Sequence, residues 1–270
     1  MRFPQRDTIG ISEAELASMT TDLDAMHHEV GMPAMNEAID GWADDIGAKG
    51  PRHHNRRTFL FRAGGVIAGG AALLAVGAPE FAGVASAVTA SGPPNSQGGI
   101  TGLTGDLAVA ALAASLENLA VYAYNAGISA ATAGKLGTVP PAVVTFATTV
   151  KSQHMDHAAA WNAILTASGK NAVTVTEPSL TPVVNQLFAK VTDVTGLAQL
   201  ALQLENAAAQ TYQVQSTKLK SKKAIATSSS IQPVEMQHAA ILYFVLGQYP
   251  GVQTSSGAPI AFNPTSTAVS

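Results

Sequence analysis

The sequence predicts an all-α fold, a four-helix bundle that consists of two repeated helix hairpins joined by a long crossover connection. Alanine and leucine dominate beyond residue 104, and alternating runs of β-branched residues are brief there. Four long helical stretches are bounded by glycine or proline, and short motifs within them repeat in pairs. With 270 residues, 47% of them hydrophobic, the chain can bury a sizeable core.

Glycines and prolines set the expected limits of these stretches. Gly127 and Gly169 are expected to end the first and the second, and the third begins near Pro182 or Asp193. Pro233 fits the first turn of the fourth, where a proline removes no intrahelical hydrogen bond. The predicted helices span residues 105–126, 140–168, 182 or 193 to 218, and 230–248.

The composition excludes several classes of protein and site. The chain has no cysteine, which excludes disulfide scaffolds, thiolate zinc sites, iron–sulfur clusters and cysteine-linked lipid anchors. Its formal net charge of −3 gives no reason to expect a nucleic-acid partner.

The charged residues divide the chain into two parts. All six arginines lie at or before Arg62, and 11 of the 18 acidic residues lie in the first 80 positions. Residues 1–54 are therefore expected to form a polar, disordered extension, in which the histidine pairs 27/28 and 53/54 are solvated rather than metal-binding. The alternative is a later start of translation, at one of the methionines 26, 32 or 35.

Residues 55–62, Asn-Arg-Arg-Thr-Phe-Leu-Phe-Arg, resemble the twin-arginine export motif through Arg56, Arg57, Phe59 and Leu60. The uncharged stretch 63–78 follows, too short and too rich in glycine for a membrane span, and small residues offer a cleavage site near Ala87. The resemblance implies that the twin-arginine (Tat) machinery of a bacterium exports the protein across the cytoplasmic membrane, to the periplasm, the cell envelope or the medium. The predicted division of the chain is extension 1–54, signal 55–87, linker 88–103, bundle 104–248 and tail 249–270.

An internal repeat connects the first and third helices. Each contains Leu-Glu-Asn, at 116–118 and at 204–206, and each has a tyrosine seven residues after the glutamate, Tyr124 and Tyr212. Together with the second and fourth helices this gives the order A-B-A′-B′. Such a repeat predicts a pseudo-two-fold bundle in which the matched residues face one another.

The second and fourth helices match as well. The second contains His154-Met-Asp-His157-Ala-Ala, and the fourth contains Glu235-Met-Gln-His238-Ala-Ala. The chain beyond residue 88 has three histidines, and all of them lie in these motifs. A polar group buried among alanines and leucines has to be paired, and residues i and i+3 share a helix face. Each motif therefore predicts two ligands that point to one centre.

A glutamate from each of two helices and a Glu-x-x-His pair from each of the other two is the ligand pattern of di-metal sites in ferritin-like bundles. Residues 104–248 resemble such a bundle. With the tail segment Ala-Phe-Asn-Pro at 261–264, they are similar to exported ferritin-like proteins related to desiccation-associated proteins. The resemblance implies five metal ligands, Glu117, His157, Glu205, Glu235 and His238.

One position departs from this pattern, because His154 stands where the second helix should carry a glutamate. With His154 the set has three carboxylates and three imidazoles, and its charge changes from −4 to −3. The family pattern implies two iron ions, with manganese as an alternative. The nitrogen-rich set also favours zinc, copper or a weakly held second iron. A single metal ion, or none, is compatible with the same residues.

Three functions are compatible with this set. The first is oxidation of Fe(II), or removal of peroxide, at two metal ions that Glu117 and Glu205 bridge or cap and that His157 and His238 hold. The second is metal sequestration, or a structural metal, without turnover. The third is a metal-free stability or envelope protein of the stress or desiccation type.

Residues beside the ligands carry weaker predictions. Tyr124 and Tyr212 either donate hydrogen bonds to ligand carboxylates or only pack in the core. Asp156 is expected on the solvated surface. Met155 and Met236 are expected to fill the core.

The first helix could be mistaken for a membrane span. Residues 107–126 carry one charge, but Glu117 would be costly in lipid and finds partners in a soluble bundle. No stable membrane span is therefore expected in the exported domain. The low charge of that domain predicts additional buried surface, with a homodimer interface as the hypothesis.

Overall fold

The structure is a computed structural model, and it describes residues 9–45 and 102–248. All regular secondary structure in these two ranges is helical, which confirms the predicted all-α fold. The helices are α1 (Glu13–Met26), α2 (Met32–Asp45), α3 (Asp106–Thr132), α4 (Pro141–Ala167), α5 (Thr181–Phe188), α6 (Val194–Ser216) and α7 (Lys222–Val245), and a single π-helical turn, His27–Gly31, joins α1 to α2.

Several sequence predictions lie outside the described residues. They are the twin-arginine motif with Arg56, Arg57, Phe59 and Leu60, the cleavage site near Ala87, most of the linker 88–103 and the tail 249–270. They stay predictions.

Helices α3, α4, α6 and α7 form the predicted bundle of two hairpins. α3 packs on α4, α6 packs on α7, and the crossover between the hairpins, residues 168–193, includes the short helix α5. The side-chain amide of Asn118 holds this crossover, because it donates to the carbonyl oxygens of Val173 and Val175 at 3.0 and 3.2 Å. The asparagine of the Leu-Glu-Asn motif thus fixes the long connection.

α3 is longer than predicted, because Gly127 lies inside the helix. A Cβ atom at Gly127 would lie 2.9 Å from Leu197 Cδ1, so the missing side chain lets α3 approach α6 closely. The helix ends at Thr132, and Gly134, whose φ is 70°, begins the turn toward α4. The prediction of a stop at Gly127 is wrong, since this glycine serves packing rather than termination.

The other helix limits also differ from the prediction in part. α7 begins at Lys222, capped by Ser221, so Pro233 lies inside the helix and not in its first turn. Ile231, two residues before Pro233, and Val234, directly after it, are buried, so the helix packs on the core around the position where the proline removes a backbone hydrogen bond. The predicted third helix is two helices, α5 and α6, and Asp193 caps α6.

Two apolar clusters fill the bundle and leave a polar layer between them. Each cluster includes residues from all four helices. The first includes Ala114, Trp161, Tyr212 and Ile231, and the second includes Tyr124, Val150, Leu202 and Leu242. On each helix the predicted ligands lie between these two positions in the sequence. The polar layer is therefore in the middle of the bundle, with apolar packing at both ends.

Residues 9–45 are folded, contrary to the disorder predicted for them as part of the extension 1–54. Ser12 and Glu15 form a capping box at the start of α1, with Ser12 N donating to Glu15 Oε2 at 2.9 Å. α1 and α2 lie along α4 and α7, and they bury Leu16 and Trp42, which are 0 and 4% exposed. The polar average composition of residues 1–54 concealed a stripe of buried side chains along one face of α1 and α2.

The π-helical turn moves the stripe around the helix. Buried residues follow at 16, 20, 23 and 27 with ordinary helical spacing, and the next buried residue is Met35. A π turn takes about one residue more than an α turn, so the side chains that follow face the bundle again. The turn leaves Val30 on the outside, 67% exposed.

One helix in the described part of the chain, α3, is long and apolar enough to cross a membrane. Within its most apolar window, 56% is buried inside the bundle, as in the core helix of a soluble protein. This burial supports a place for α3 in the bundle rather than in lipid.

We expect Leu16→Ala to lower the free energy of unfolding of the full chain by about 2–4 kcal/mol, because it leaves a cavity at a fully buried position. Val30→Ala, at an exposed position of the same segment, should change it by less than about 0.5 kcal/mol. Urea unfolding followed by circular dichroism measures both. Equally small effects would contradict the packing of the N-terminal segment.

Candidate metal centre

All six predicted ligands meet in the polar layer of the bundle. They come from α3 (Glu117), α4 (His154 and His157), α6 (Glu205) and α7 (Glu235 and His238). Their exposed fractions lie between 0 and 3%. So many buried ionisable groups have to neutralise one another or share a bound ion.

The six residues form two overlapping groups, and in each group the candidate ligand atoms lie within 4.8 Å of one another. The first group is Glu117, His154, His157 and Glu235, and the second is His154, Glu205, Glu235 and His238. His154 and Glu235, which are equivalent in the repeat, belong to both groups. Glu117 and Glu205, also equivalent, each belong to one.

The two ring nitrogens of His154 face different groups. Nδ1 lies 2.7 Å from Glu117 Oε2, and Nε2 lies 3.2 Å from Glu205 Oε1. One imidazole thereby links the carboxylates of α3 and α6, which a glutamate in its place would repel. The departure from the family's ligand pattern thus changes the charge in the middle of the cluster.

Glu235 faces all three histidines of the cluster, whose ring nitrogens lie 2.9 to 3.7 Å from its oxygens. Its side chain is fully buried, and neither of its oxygens accepts a hydrogen bond from the residues that the structure describes. His157 Nδ1 lies 2.9 Å from Glu235 Oε1 and makes no hydrogen bond in the same ranges. Burying an ionised group in this way costs several kcal/mol. These three atoms could therefore serve as ligands of a metal ion.

Each half of the repeat sends a tyrosine hydroxyl to the glutamate of the other half. Tyr124 donates to Glu205 Oε1 at 2.5 Å, and Tyr212 donates to Glu117 Oε1. Tyr212 also accepts a hydrogen bond from Trp161 Nε1 at 2.8 Å. Burial and the nearby carboxylates raise the pKa of both tyrosines well above 10, so the hydroxyls remain donors. Such contacts orient the carboxylates toward the cluster.

Gln153, which the sequence left open between the helix surface and a contact to the ligands, contacts a ligand. It is 1% exposed, and its Oε1 accepts a hydrogen bond from His238 Nε2 at 2.7 Å. This leaves His238 Nδ1 to face Glu205 Oε2 at 3.1 Å, and Nδ1 is then the nitrogen available to a metal ion. The repeat gives no signal for Gln153, because Val234 stands at the equivalent position.

His27 approaches the centre from outside the four helices. Its side chain is buried, its Nε2 lies 3.2 Å from Asp156 Oδ2, and its ring centroid lies 5.4 Å from that of His157. Burial lowers the pKa of His27 despite the Asp156 carboxylate. The prediction of a solvated His27 is wrong, because the N-terminal helices cover this part of α4. They leave Asp156, expected on the solvated surface, 28% exposed and outside both ligand groups.

The two methionines beside the ligands differ from each other. Met155 is half-buried, whereas Met236 is 36% exposed and does not fill the core as predicted. On α7 its neighbours Glu235 and His238 face the centre. Met236, about 100° around the helix from Glu235, faces outward.

The histidines and glutamates shift one another's pKa values. Burial would raise the pKa of Glu117, but the charge of His157 and the hydrogen bond with His154 outweigh burial and lower it to about 2. Burial likewise opposes protonation of His157, and Glu117 nevertheless raises its pKa to about 9. For the same reasons the pKa of Glu205 is lowered and those of His154 and His238 are raised. In the absence of a metal ion the charges of Glu117 and Glu205 are therefore balanced by the histidines beside them.

Comparison with known proteins bears on the same part of the chain. The sequence model of a family described as "Ferritin-like domain" matches residues 105–248, more than half of the chain. No curated protein and no solved structure matches the chain. The matched range contains all six predicted ligands, and the N-terminal helices lie ahead of it.

We expect the metal-stripped protein to lose stability as the pH rises from 6.5 to about 9. A histidine whose pKa is higher in the folded protein contributes fully below its unfolded pKa of 6.5, and the contribution is lost as the pH passes the folded value. For His157, with a folded pKa of about 9, the loss is up to about 3 kcal/mol. Urea unfolding in EDTA at several pH values measures it.

Two variants sharpen this measurement. His157→Gln should weaken the pH dependence, because it removes one of the three histidines whose pKa is raised. His28→Gln changes a histidine whose side chain is 57% exposed and should leave the pH dependence as it is. Stability that stays constant or increases over this pH range would contradict an ion-paired cluster.

Proposed function

Because the chain belongs to the ferritin-like domain family, we propose that the buried cluster binds two metal ions, one in each of its overlapping groups. The observation that carries the proposal is Glu235, whose two buried oxygens lack hydrogen bonds within the described residues. One oxygen lies 2.9 Å from His157 Nδ1, and the other lies 3.6 Å from His238 Nδ1. A carboxylate directed at both groups is suited to join two cations.

Each ion has ligands of its own in this proposal. Glu117 and His157 hold one ion, Glu205 and His238 hold the other, and the two residues common to both groups lie between them. Of the two roles expected for Glu117 and Glu205, capping fits this arrangement better than bridging.

The donor set fits iron best, with manganese or zinc as alternatives. Carboxylate oxygens suit hard cations, and imidazole nitrogens suit iron, zinc and copper. The histidines have to be neutral to bind a metal ion, so binding releases protons and strengthens as the pH rises.

When bound, two adjacent iron ions would supply the electrons that O₂ or peroxide takes up, and the proposed reaction is oxidation of Fe(II) by O₂, or removal of peroxide with Fe(II) as the reductant. The residues around the centre prepare it for this role. Tyr124 and Tyr212 orient the capping carboxylates, and Gln153 orients His238. The apolar clusters exclude water from both ends of the polar layer.

Metal analysis tests the proposal. We expect the full chain to retain about two iron or manganese ions per molecule after loading and desalting, and Glu235→Gln to retain fewer than about one, because both groups lose a ligand. Glu37→Gln, which changes an exposed acid on α2, is the matched control and should behave as the unaltered chain does. No retained metal in the unaltered chain would overturn the proposal.

His154 favours a second candidate, a zinc site that sequesters the metal or stabilises the bundle without turnover. A nitrogen donor replaces the carboxylate of the family pattern at the middle of the cluster, next to Glu117 and Glu205. The centre is therefore less negative and richer in nitrogen, which shifts its preference away from hard cations.

We expect His154→Glu to raise the ratio of retained Fe(II) to retained Zn(II) by about fivefold or more, because it returns the missing carboxylate. Anaerobic dialysis against equal concentrations of both ions, followed by elemental analysis, gives the ratio. His154→Gln, which adds no charge, is the control and should not raise it. One tightly held zinc and no iron in the unaltered chain would replace the first candidate by the second.

A further inference from the structure

The N-terminal helix, defined here as α1, the π-helical turn and α2, repeats the layering of the four-helix bundle. Leu16 and Leu23 belong to one apolar cluster, and Met35 and Trp42 belong to the other. His27 lies between these pairs, level with the polar layer. Among the described residues it is the buried histidine that the metal proposal does not use.

This helix fills the groove between α4 and α7 from one end to the other. Before its start, Gly10 N donates to Val245 O at the end of α7, at 2.7 Å. Near its end, Trp42 Nε1 donates to Ser168 Oγ just beyond the end of α4, at 3.2 Å. Both helices that carry a His-containing motif therefore pack against it.

At mid-length the N-terminal helix covers one half of the centre. His27 contacts Asp156 and approaches His157, the histidine of the first ligand group. The histidine of the second group, His238, is instead oriented by Gln153, which belongs to the bundle itself. One half of the centre is thus shielded within the family domain, and the other half depends on a segment ahead of it.

We propose that the N-terminal helix is a permanent fifth helix of the metal domain and stays in the same compartment as the bundle. The predicted export signal, residues 55–87, separates the two in the sequence. If that signal crossed a membrane once and were cut near Ala87, the N-terminal helix would remain on the opposite side. The bundle would then expose an apolar groove and His157 to water. Such a cut and the folded arrangement exclude each other in one molecule.

A cysteine pair in this cysteine-free chain tests the arrangement in intact bacteria with active twin-arginine machinery. Gln237 Nε2 lies 3.9 Å from Met26 Sδ, and Met26 is 49% exposed, so Met26→Cys with Gln237→Cys should react with a short bismaleimide. Met26→Cys with Lys135→Cys, in the turn after α3, is the control pair and should not react. Different epitope tags mark the two ends of the full chain.

The expected result is one full-length product that carries both tags, in one cell fraction, with an intramolecular cross-link in the first pair alone. A bundle without the N-terminal tag, found in another fraction and without a cross-link, would overturn the proposal. Neither result depends on bound metal.

A second measurement tests whether the N-terminal helix covers the half of the centre that contains His157. This test rests on the proposed metal site. In the zinc-loaded full chain, His27→Ala should speed the EDTA-driven loss of one ion about tenfold and leave the other ion unchanged. His28→Ala is the matched control and should have no effect. Unchanged loss in His27→Ala would contradict the cover. A chain that forms the cross-link and binds no metal would overturn the proposed function while supporting the fifth helix.

Discussion

A buried set of side chains with balanced charge is the constraint on which the rest of the structure depends. Three glutamates and three histidines lie between two apolar clusters, where an isolated ion would be costly. Loss of one partner from such a set leaves a buried charge uncompensated, at a cost of about 3–5 kcal/mol. Because the partners come from four helices, the set is satisfied only when all four hold their register together. The centre therefore specifies the packing as well as the chemistry.

The sequence predicted this centre better than it predicted the helix limits. The predicted ligands are rare residue types in this part of the sequence, and they recur at matched positions of the repeat. Neither property depends on where a helix ends. Helix limits depend on local preferences that packing can override. Gly127 has the preference of a terminator, yet it lies against Leu197, and Pro233 is held inside α7 by its buried neighbours.

The sequence missed the N-terminal helix and left the place of Gln153 open, for different reasons. The capping box and the spacing of Leu16 and Leu23 are visible in the sequence, but the π-helical turn after them breaks the period, and no single helical pattern joins both halves of the stripe. Gln153 has no comparable signal. Its contact with His238 depends on how α4 packs against α7, which the sequence pattern does not give.

The differences between the two halves of the centre come from tertiary packing rather than from the repeat. Trp161 donates to Tyr212, whereas Leu242, at the equivalent position, has no such donor to offer. Gln153 orients one histidine, and His27 lies beside the other. Repetition of a hairpin supplies two similar sets of ligands, and tertiary packing then gives them different surroundings. The N-terminal helix contacts the set that contains His157, so a segment ahead of the matched family domain contributes to the surroundings of the centre alongside the ligands within it.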